Sequence, residues 1–126
     1  MAPFTDAVCY RWQDLPQDHP LDRLDRRRIF GEKMMVAEIV LHAGCYVPTH
    51  AHENEQIAVV VSGAIRFGIG AEDSDARRSV VVRGGEVLHL PSNVPHSAEA
   101  LEDTVVFDLF SPPSQKTGVD RVGEGA

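Results

Sequence analysis

Residues 44–63, GCYVPTHAHENEQIAVVVSG, place a histidine pair and a run of strand-forming residues between two glycines. His50 and His52 are two positions apart, and side chains at this spacing point to the same face of an extended chain. Three candidate oxygen ligands follow them, namely Glu53, Glu55 and Gln56. A histidine pair alone is weak evidence for a metal site, so the residues around it must be considered as well. The stretch therefore offers candidate metal ligands, and its spacing alone does not decide which of them bind.

A third histidine stands in a patterned context in residues 85–96, GEVLHLPSNVPH. A strand followed by a turn between Pro91 and Pro95 would bring His96 back over the sheet. This arrangement makes His96 a candidate third histidine for the same site. The remaining histidines lack such a context and are predicted to have surface or hydrogen-bonded structural roles; they are His19, His42 and His89.

From residue 32 onward, short runs rich in Val, Ile and Phe alternate with Gly, Pro, Asp and Ser, a pattern typical of many short strands. The predicted strands are residues 33–41, 56–61, 64–69, 79–83, 86–90, 97–100 and 104–110. Apolar residues alternate over 64–69, which predicts one buried face, whereas the uniformly apolar run at 56–61 predicts a strand covered on both sides. The pattern favours an all-β fold, a single-domain jelly-roll β-barrel, in which closure removes exposed strand edges.

The two ends of the chain carry weaker signals. Residues 17–28 predict a loop or a short helical turn, and the interleaved acidic and basic residues around Arg26 predict a solvated face. Residues 114–126 contain almost no apolar side chains, which predicts a flexible tail. The predicted organisation is an N-terminal extension over residues 1–30, a barrel over 31–113 and a C-terminal tail over 114–126.

Composition excludes several classes of function. The 126-residue chain has a net charge of −7, which argues against nucleic-acid binding, and no apolar run long enough for a membrane span. Its start lacks a basic region followed by an apolar one, so we expect a cytoplasmic protein. Cys9 and Cys45 fit neither a zinc pattern nor a disulfide framework, which predicts buried, unpaired thiols.

Together the two histidine segments resemble the two motifs of the cupin superfamily. The first motif corresponds to Gly44, His50, His52, Gln56 and Gly63, and the second to Gly85, Pro91, Asn93 and His96. The spacing agrees at every position. Gln56 replaces the usual Glu, and Asn93 replaces the usual Gly, although Asn tolerates a positive φ better than most residues.

The resemblance implies a jelly-roll barrel that binds one divalent transition metal, whether Zn, Ni, Fe, Mn or Cu, through His50, His52, Gln56 and His96. It also implies a homodimer, with a strand of the N-terminal extension exchanged between subunits. Four neutral ligands would leave the full charge on the metal, which favours Lewis-acid chemistry and binding of an anionic small-molecule substrate.

Residues 31–113 are most similar to the small cupins of pectin and alginate breakdown, which linearise 4,5-unsaturated monouronates. That family binds its metal through three His and one Gln, and the resemblance implies active-site roles for Asp108 and Phe110. Its Arg after the paired prolines is replaced here by Ser114. Arg28 and Arg66 are candidates to compensate for that loss.

The expected function is a metal-dependent ring opening of an unsaturated uronate or a related acidic sugar, within carbohydrate metabolism. Asp108 would serve as the general acid and base. Two alternatives stay open. One is a non-catalytic cupin that binds or senses a small ligand, and the other is a metal-dependent dioxygenase.

Overall fold

The computed structural model describes residues 4–121, which form ten β-strands and two short 3-10 helices. The strands are β1 (Asp18–Leu21), β2 (Leu24–Phe30), β3 (Met35–Leu41), β4 (Tyr46–His50), β5 (Glu55–Ser62), β6 (Ala64–Ile69), β7 (Arg78–Arg83), β8 (Val87–Leu90), β9 (His96–Ala100) and β10 (Thr104–Ser111). The 3-10 helices are Trp12–Asp14 and Val119–Arg121. Within this part of the chain, no helix has the length and apolar character needed to cross a bilayer.

The strands form two antiparallel sheets that enclose one core. The larger sheet has the order β1-β2-β3-β10-β5-β8 and the smaller has the order β4-β9-β6-β7. Side chains from both sheets meet between them, including Met35, Val60 and Val106 from the larger sheet and Ile65 and Phe67 from the smaller. Burial of this apolar surface is the main force that holds the sheets together. The predicted all-β jelly roll is therefore confirmed.

Strand periodicity explains how the core is filled. In β3 every second residue, from Met35 to Leu41, is buried and faces the core. Each predicted strand matches an observed one to within two residues at either end, and the prediction for β6 is confirmed at both ends. The prediction that β5 is covered on both faces is wrong, because Ile57 and Val61 on its outer face are 39% and 51% exposed.

The N-terminal region departs from its prediction. Residues 18–21 and 24–30 form strands β1 and β2 rather than a loop or helical turn, and β2 pairs along its whole length with β3. Leu24 is buried in the core, and Arg26 is only 3% exposed, so this basic cluster is not simply a solvated face. The period of two in β2 points both side chains inward, and paired carboxylates compensate the buried charge of Arg26.

The predicted flexible tail is wrong for residues 114–121. Thr117 is buried, and Val119 packs against the hydrophobic core. The segment ends with the 3-10 helix Val119–Arg121, which contacts β1. We call residues 114–121 the strap. The last five positions of the predicted tail, 122–126, and the first three of the predicted extension lie outside the described residues.

Both cysteines are unpaired, as predicted, but only one is buried. Cys45 lies in the core, where burial raises the pKa of its thiol to about 11. Cys9 is exposed on the segment that precedes the first 3-10 helix. The prediction of a buried thiol is wrong for Cys9, because the N-terminal segment does not enter the core.

Two motif glycines provide a matched test of backbone packing. Gly63 and Gly85 share a φ of +91°, but a Cβ at Gly63 would overlap Thr104 and the Asp103 carbonyl, whereas a Cβ at Gly85 would meet nothing within 4 Å. We expect Gly85→Ala to cost about 1 kcal/mol from backbone strain. Gly63→Ala should cost about 3 kcal/mol, because steric overlap adds to that strain. Chemical denaturation of both variants measures the difference, and equal costs would contradict the packing observed around Gly63.

Candidate metal centre

Three histidines converge at one end of the barrel. His50 ends β4 and His96 begins β9, and the two are paired in register across the smaller sheet. His52 follows two residues after His50, as the pattern predicts. One potential ligand atom from each ring lies within 4.8 Å of the others. The structure therefore brings together the three predicted histidine ligands, two of them buried and His50 half-buried.

Each imidazole is oriented by a carbonyl two residues away in the chain. The Nδ1 atoms of His50, His52 and His96 lie 2.8, 3.0 and 2.9 Å from the carbonyl oxygens of Pro48, Asn54 and Val94. A carbonyl oxygen can only accept, so each Nδ1 carries the proton and donates it. The neutral ring then has its lone pair on Nε2, which is the form that binds a metal.

The protonation state of His96 suits ligation. Burial lowers the pKa of His96 to about 4, and the neighbouring rings of His50 and His52 lower it further, against the bond to the Val94 carbonyl. The imidazole is therefore neutral near pH 7. A metal that binds there does not have to displace a proton.

Gln56 and Asp108 form a hydrogen-bonded pair beside this cluster. Gln56 Nε2 donates to Asp108 Oδ1 over 3.0 Å, which fixes which side of the amide faces the carboxylate. Asp108 is half-buried and is one of the residues that line a cavity between the two sheets. Burial raises the pKa of Asp108 to about 6, and the bond from Gln56 opposes that rise.

The cavity has a volume of about 50 Å³ and lies between the two sheets. Its polar lining includes His50, His96, Gln56 and Asp108, and Phe110 adds an aromatic wall. Phe110 also meets the His52 ring edge-on, with centroids 5.7 Å apart. Both predicted active-site residues thus line the cavity with the proposed fourth ligand, Gln56.

No lysine or arginine is among the described residues that line this cavity. Arg66 pairs with Glu99 on the outside of the smaller sheet, and Arg28 donates to the Gln115 carbonyl at 2.8 Å. Ser114, at the position of the family's Arg, donates its backbone N–H to Met35 Sδ. Neither candidate arginine replaces the lost group inside the cavity.

The other candidate ligands lie away from the centre. Glu55 pairs with His89 over 2.6 Å at exposed positions, which agrees with a structural role for His89. His19 and His42 both contact the carboxylate of Asp25, at 2.9 and 2.8 Å. Glu53 is exposed. The surface or hydrogen-bonded roles predicted for His19, His42 and His89 agree with these carboxylate partners.

The strap contributes residues that sequence reasoning missed. Thr117 and Val119 line the cavity, and Gly118 lies directly against the His50 ring, where a Cβ would overlap the imidazole. Asp120 joins the buried guanidinium of Arg26, with both oxygens 2.8 Å from it. Only the glycine offered a sequence signal, because small residues mark places of close backbone approach.

This donor set fits a divalent transition metal. Three neutral nitrogen donors of the type preferred by Zn, Ni, Fe and Cu converge within bonding reach of one ion, and each is oriented by a second hydrogen bond. The cluster of His50, His52 and His96 could therefore bind a metal ion. Gln56, on the wall of the same cavity, stays a predicted ligand.

Comparisons with known proteins agree with this architecture. Residues 37–110 match the family described as cupin domain. Among solved structures, an RmlC-like cupin from Shewanella frigidimarina has 21% identity and a TM-score of 0.76, covering 87% of this chain and 95% of the other. KdgF from Halomonas sp. has 25% identity and a TM-score of 0.74, covering 87% and 97%.

Oxalate decarboxylase from Bacillus subtilis has 21% identity and a TM-score of 0.71, and the match covers 91% of this chain but 32% of that larger one. A comparison with curated proteins finds no match. The family match spans more than half of the 126 residues and includes the three histidines and most of the residues that line the cavity. The chain belongs to the cupin domain family.

Proposed function

We propose that this chain is a metal-dependent cupin that opens the ring of an unsaturated uronate or a related acidic sugar. The observation that carries the proposal is a set of neutral donors beside a buried carboxylate. His50, His52 and His96 present their Nε2 lone pairs, and Gln56 is held by Asp108 at the same cavity. These three histidines, with Gln56 as the fourth ligand, would hold the metal.

The likeness to KdgF from Halomonas sp. supports the proposal. KdgF matches 87% of this chain and 97% of its own chain, at 25% identity, and residues 31–113 of this chain resemble the cupins that linearise unsaturated monouronates. Asp108 and Phe110, which the family resemblance assigns to the active site, both line the cavity. Fold alone does not fix a reaction among cupins, so the position of these residues matters more than the architecture.

The chemistry divides between the metal and the side chains. A divalent metal with four neutral ligands keeps its full charge and supplies a Lewis acid for a substrate oxygen. Asp108 would accept the proton of the anomeric hydroxyl as the bond between the anomeric carbon and the ring oxygen breaks. Asp108 would then return that proton to C4 of the former C4=C5 double bond, which leaves a ketone at C5. Phe110 would pack against the ring.

The experiment measures loss of the alkene absorbance of unsaturated galacturonate. Metal-free protein is loaded in turn with Zn²⁺, Ni²⁺, Fe²⁺ and Mn²⁺, and the rate is compared with the spontaneous one. We expect at least one metal to give a faster rate that a chelator abolishes and fresh metal restores. A rate equal to the spontaneous one for every metal would rule the proposal out.

One observation favours a second function, a non-catalytic cupin that binds or senses a small ligand. The described cavity wall carries no cationic side chain, and Ser114 replaces the arginine expected to grip a substrate carboxylate. Titration calorimetry with the same sugar acid distinguishes the two functions. Saturable binding without any loss of alkene absorbance would favour the sensing role.

A further inference from the structure

The strap lies over His50 at the end of strand β4. Gly118 lies against the His50 ring with a φ of +106°, a left-handed conformation that favours glycine. Thr117 and Val119, on either side, turn into the cavity and line it. A ligand that approaches His50 from this side therefore meets the strap before it meets the imidazole.

With the strap in this position, the space beside the histidines is too small for a sugar acid. A volume of about 50 Å³ holds roughly four water molecules. A hexuronate has more heavy atoms than that, and a bound metal would occupy part of the space. Either the natural ligand is no larger than a few waters, or the strap moves to admit it.

One ion pair and the packing of Val119 against the core attach the strap to the barrel. Both oxygens of Asp120 lie 2.8 Å from the guanidinium of Arg26, which β2 buries to 3% exposure. The same guanidinium binds Asp18 of β1, at 2.7 and 3.0 Å. The other hydrogen bonds between the strap and the barrel are single ones, such as that from Arg28 to the Gln115 carbonyl.

We propose that the strap is a lid over the metal centre and that the pair between Arg26 and Asp120 is its latch. A buried ion pair holds firmly while both partners are present and destabilises its surroundings when one is lost, so a single substitution should release the lid. The inference rests on the proposed function only in taking this cavity as the ligand site. It makes the strap a determinant of which ligands reach the histidines.

Proteolysis of the full chain tests the latch. Lys116 is exposed within the strap. Because a protease cleaves a locally unfolded segment, trypsin cleavage after Lys116 reports release of the strap from the barrel. We expect Asp120→Asn to accelerate cleavage at Lys116 at least about tenfold, because cleavage follows the population of the open strap. Mass spectrometry resolves this site from the other tryptic sites.

Asp18→Asn is the matched control. It removes one carboxylate from the same guanidinium but leaves the strap's own partner in place, so cleavage at Lys116 should change less than about twofold. Gly118→Ala tests the lid by a second route, because its Cβ would overlap His50 and prevent closure. Equal cleavage in wild type and Asp120→Asn, or an equal acceleration by Asp18→Asn, would overturn the latch.

Chemical modification of His50 tests whether the strap covers the site. Metal-free protein is treated with diethyl pyrocarbonate, and peptide masses report the rate at His50 relative to exposed His89. Asp120→Asn and Gly118→Ala should both raise this ratio by about the factor seen in proteolysis. An unchanged ratio in a variant with an open strap would overturn the lid. Neither readout uses a substrate, so both stand even if the ring-opening activity is absent.

Discussion

His96→Ala is expected to lower the metal content of the purified protein from about one ion per chain to almost none. The substitution removes one of three imidazoles whose ligand atoms lie within 4.8 Å of one another. Removing a group that only orients a ligand typically weakens metal binding by about 10–100-fold, so loss of a ligand itself should cost at least about 100-fold. Elemental analysis of protein purified without chelator measures the occupancy, and competition with a chromophoric chelator measures the affinity.

His89→Ala is the matched control for this experiment. The same residue type is removed from an exposed position, where it pairs with Glu55 rather than with the cluster. Its metal content should equal that of wild type. Full occupancy in His96→Ala, or an equal loss in both variants, would contradict the proposed centre. A thermal melt of both metal-free variants separates loss of a ligand from loss of the fold.

Asp108→Asn is expected to lower the ring-opening rate about 10²–10⁴-fold, the usual contribution of a general acid and base. The amide keeps an oxygen that can accept the hydrogen bond from Gln56, so the orientation of the proposed fourth ligand should survive. The carboxylate that moves the proton is gone. The measurement is the initial rate of alkene loss, together with metal content in the same preparation.

Two further variants separate catalysis from ligand positioning. Asp108→Ala removes the partner of Gln56 as well as the carboxylate, so it should also weaken metal binding by about 10–100-fold. Asp73→Asn makes the same chemical change as Asp108→Asn on an exposed loop and should behave as wild type. Activity within threefold of wild type in Asp108→Asn would exclude the carboxylate from proton transfer.

The metal centre could be predicted from the sequence because its ligands are set by short spacings. His50 and His52 share a strand face, and the turn before His96 is fixed by two prolines and by Asn93, whose φ of +66° confirms the expected left-handed conformation. Local geometry of this kind depends on neighbouring residues. The two histidine motifs were therefore sufficient to predict that the three histidines lie together.

The ends of the chain could not be predicted for a different physical reason. The strap has few apolar residues, and it is held by an ion pair between positions 26 and 120, far apart in the sequence. The charged residues near Arg26 in the sequence indicate a solvated surface, because the sequence does not show that Asp120 lies beside Arg26 in the folded chain. The same limit hid β2, whose inward-facing Arg26 interrupts the apolar alternation that normally identifies a strand.

The burial of β5 was misjudged for a related reason. Its uniformly apolar run suggested a strand covered on both faces. Ile57 and Val61 lie on the outer face of the larger sheet and are exposed. Val87 on the neighbouring β8 is 58% exposed and pairs with Val59. The homodimer with an exchanged N-terminal strand stays a prediction.

Backbone carbonyls orient the three imidazoles, so the ligand geometry is set when the chain folds and not when a metal binds. Zinc fingers select their ligand geometry only as the metal arrives, so that folding and metal binding are one process. Here Pro48, Asn54 and Val94 align the rings through the backbone itself, and the barrel's core does not involve the metal. Such a site is preorganised: the entropy of ordering its ligands is lost during folding rather than on binding. Stripping the metal should leave a folded barrel ready to take up another ion.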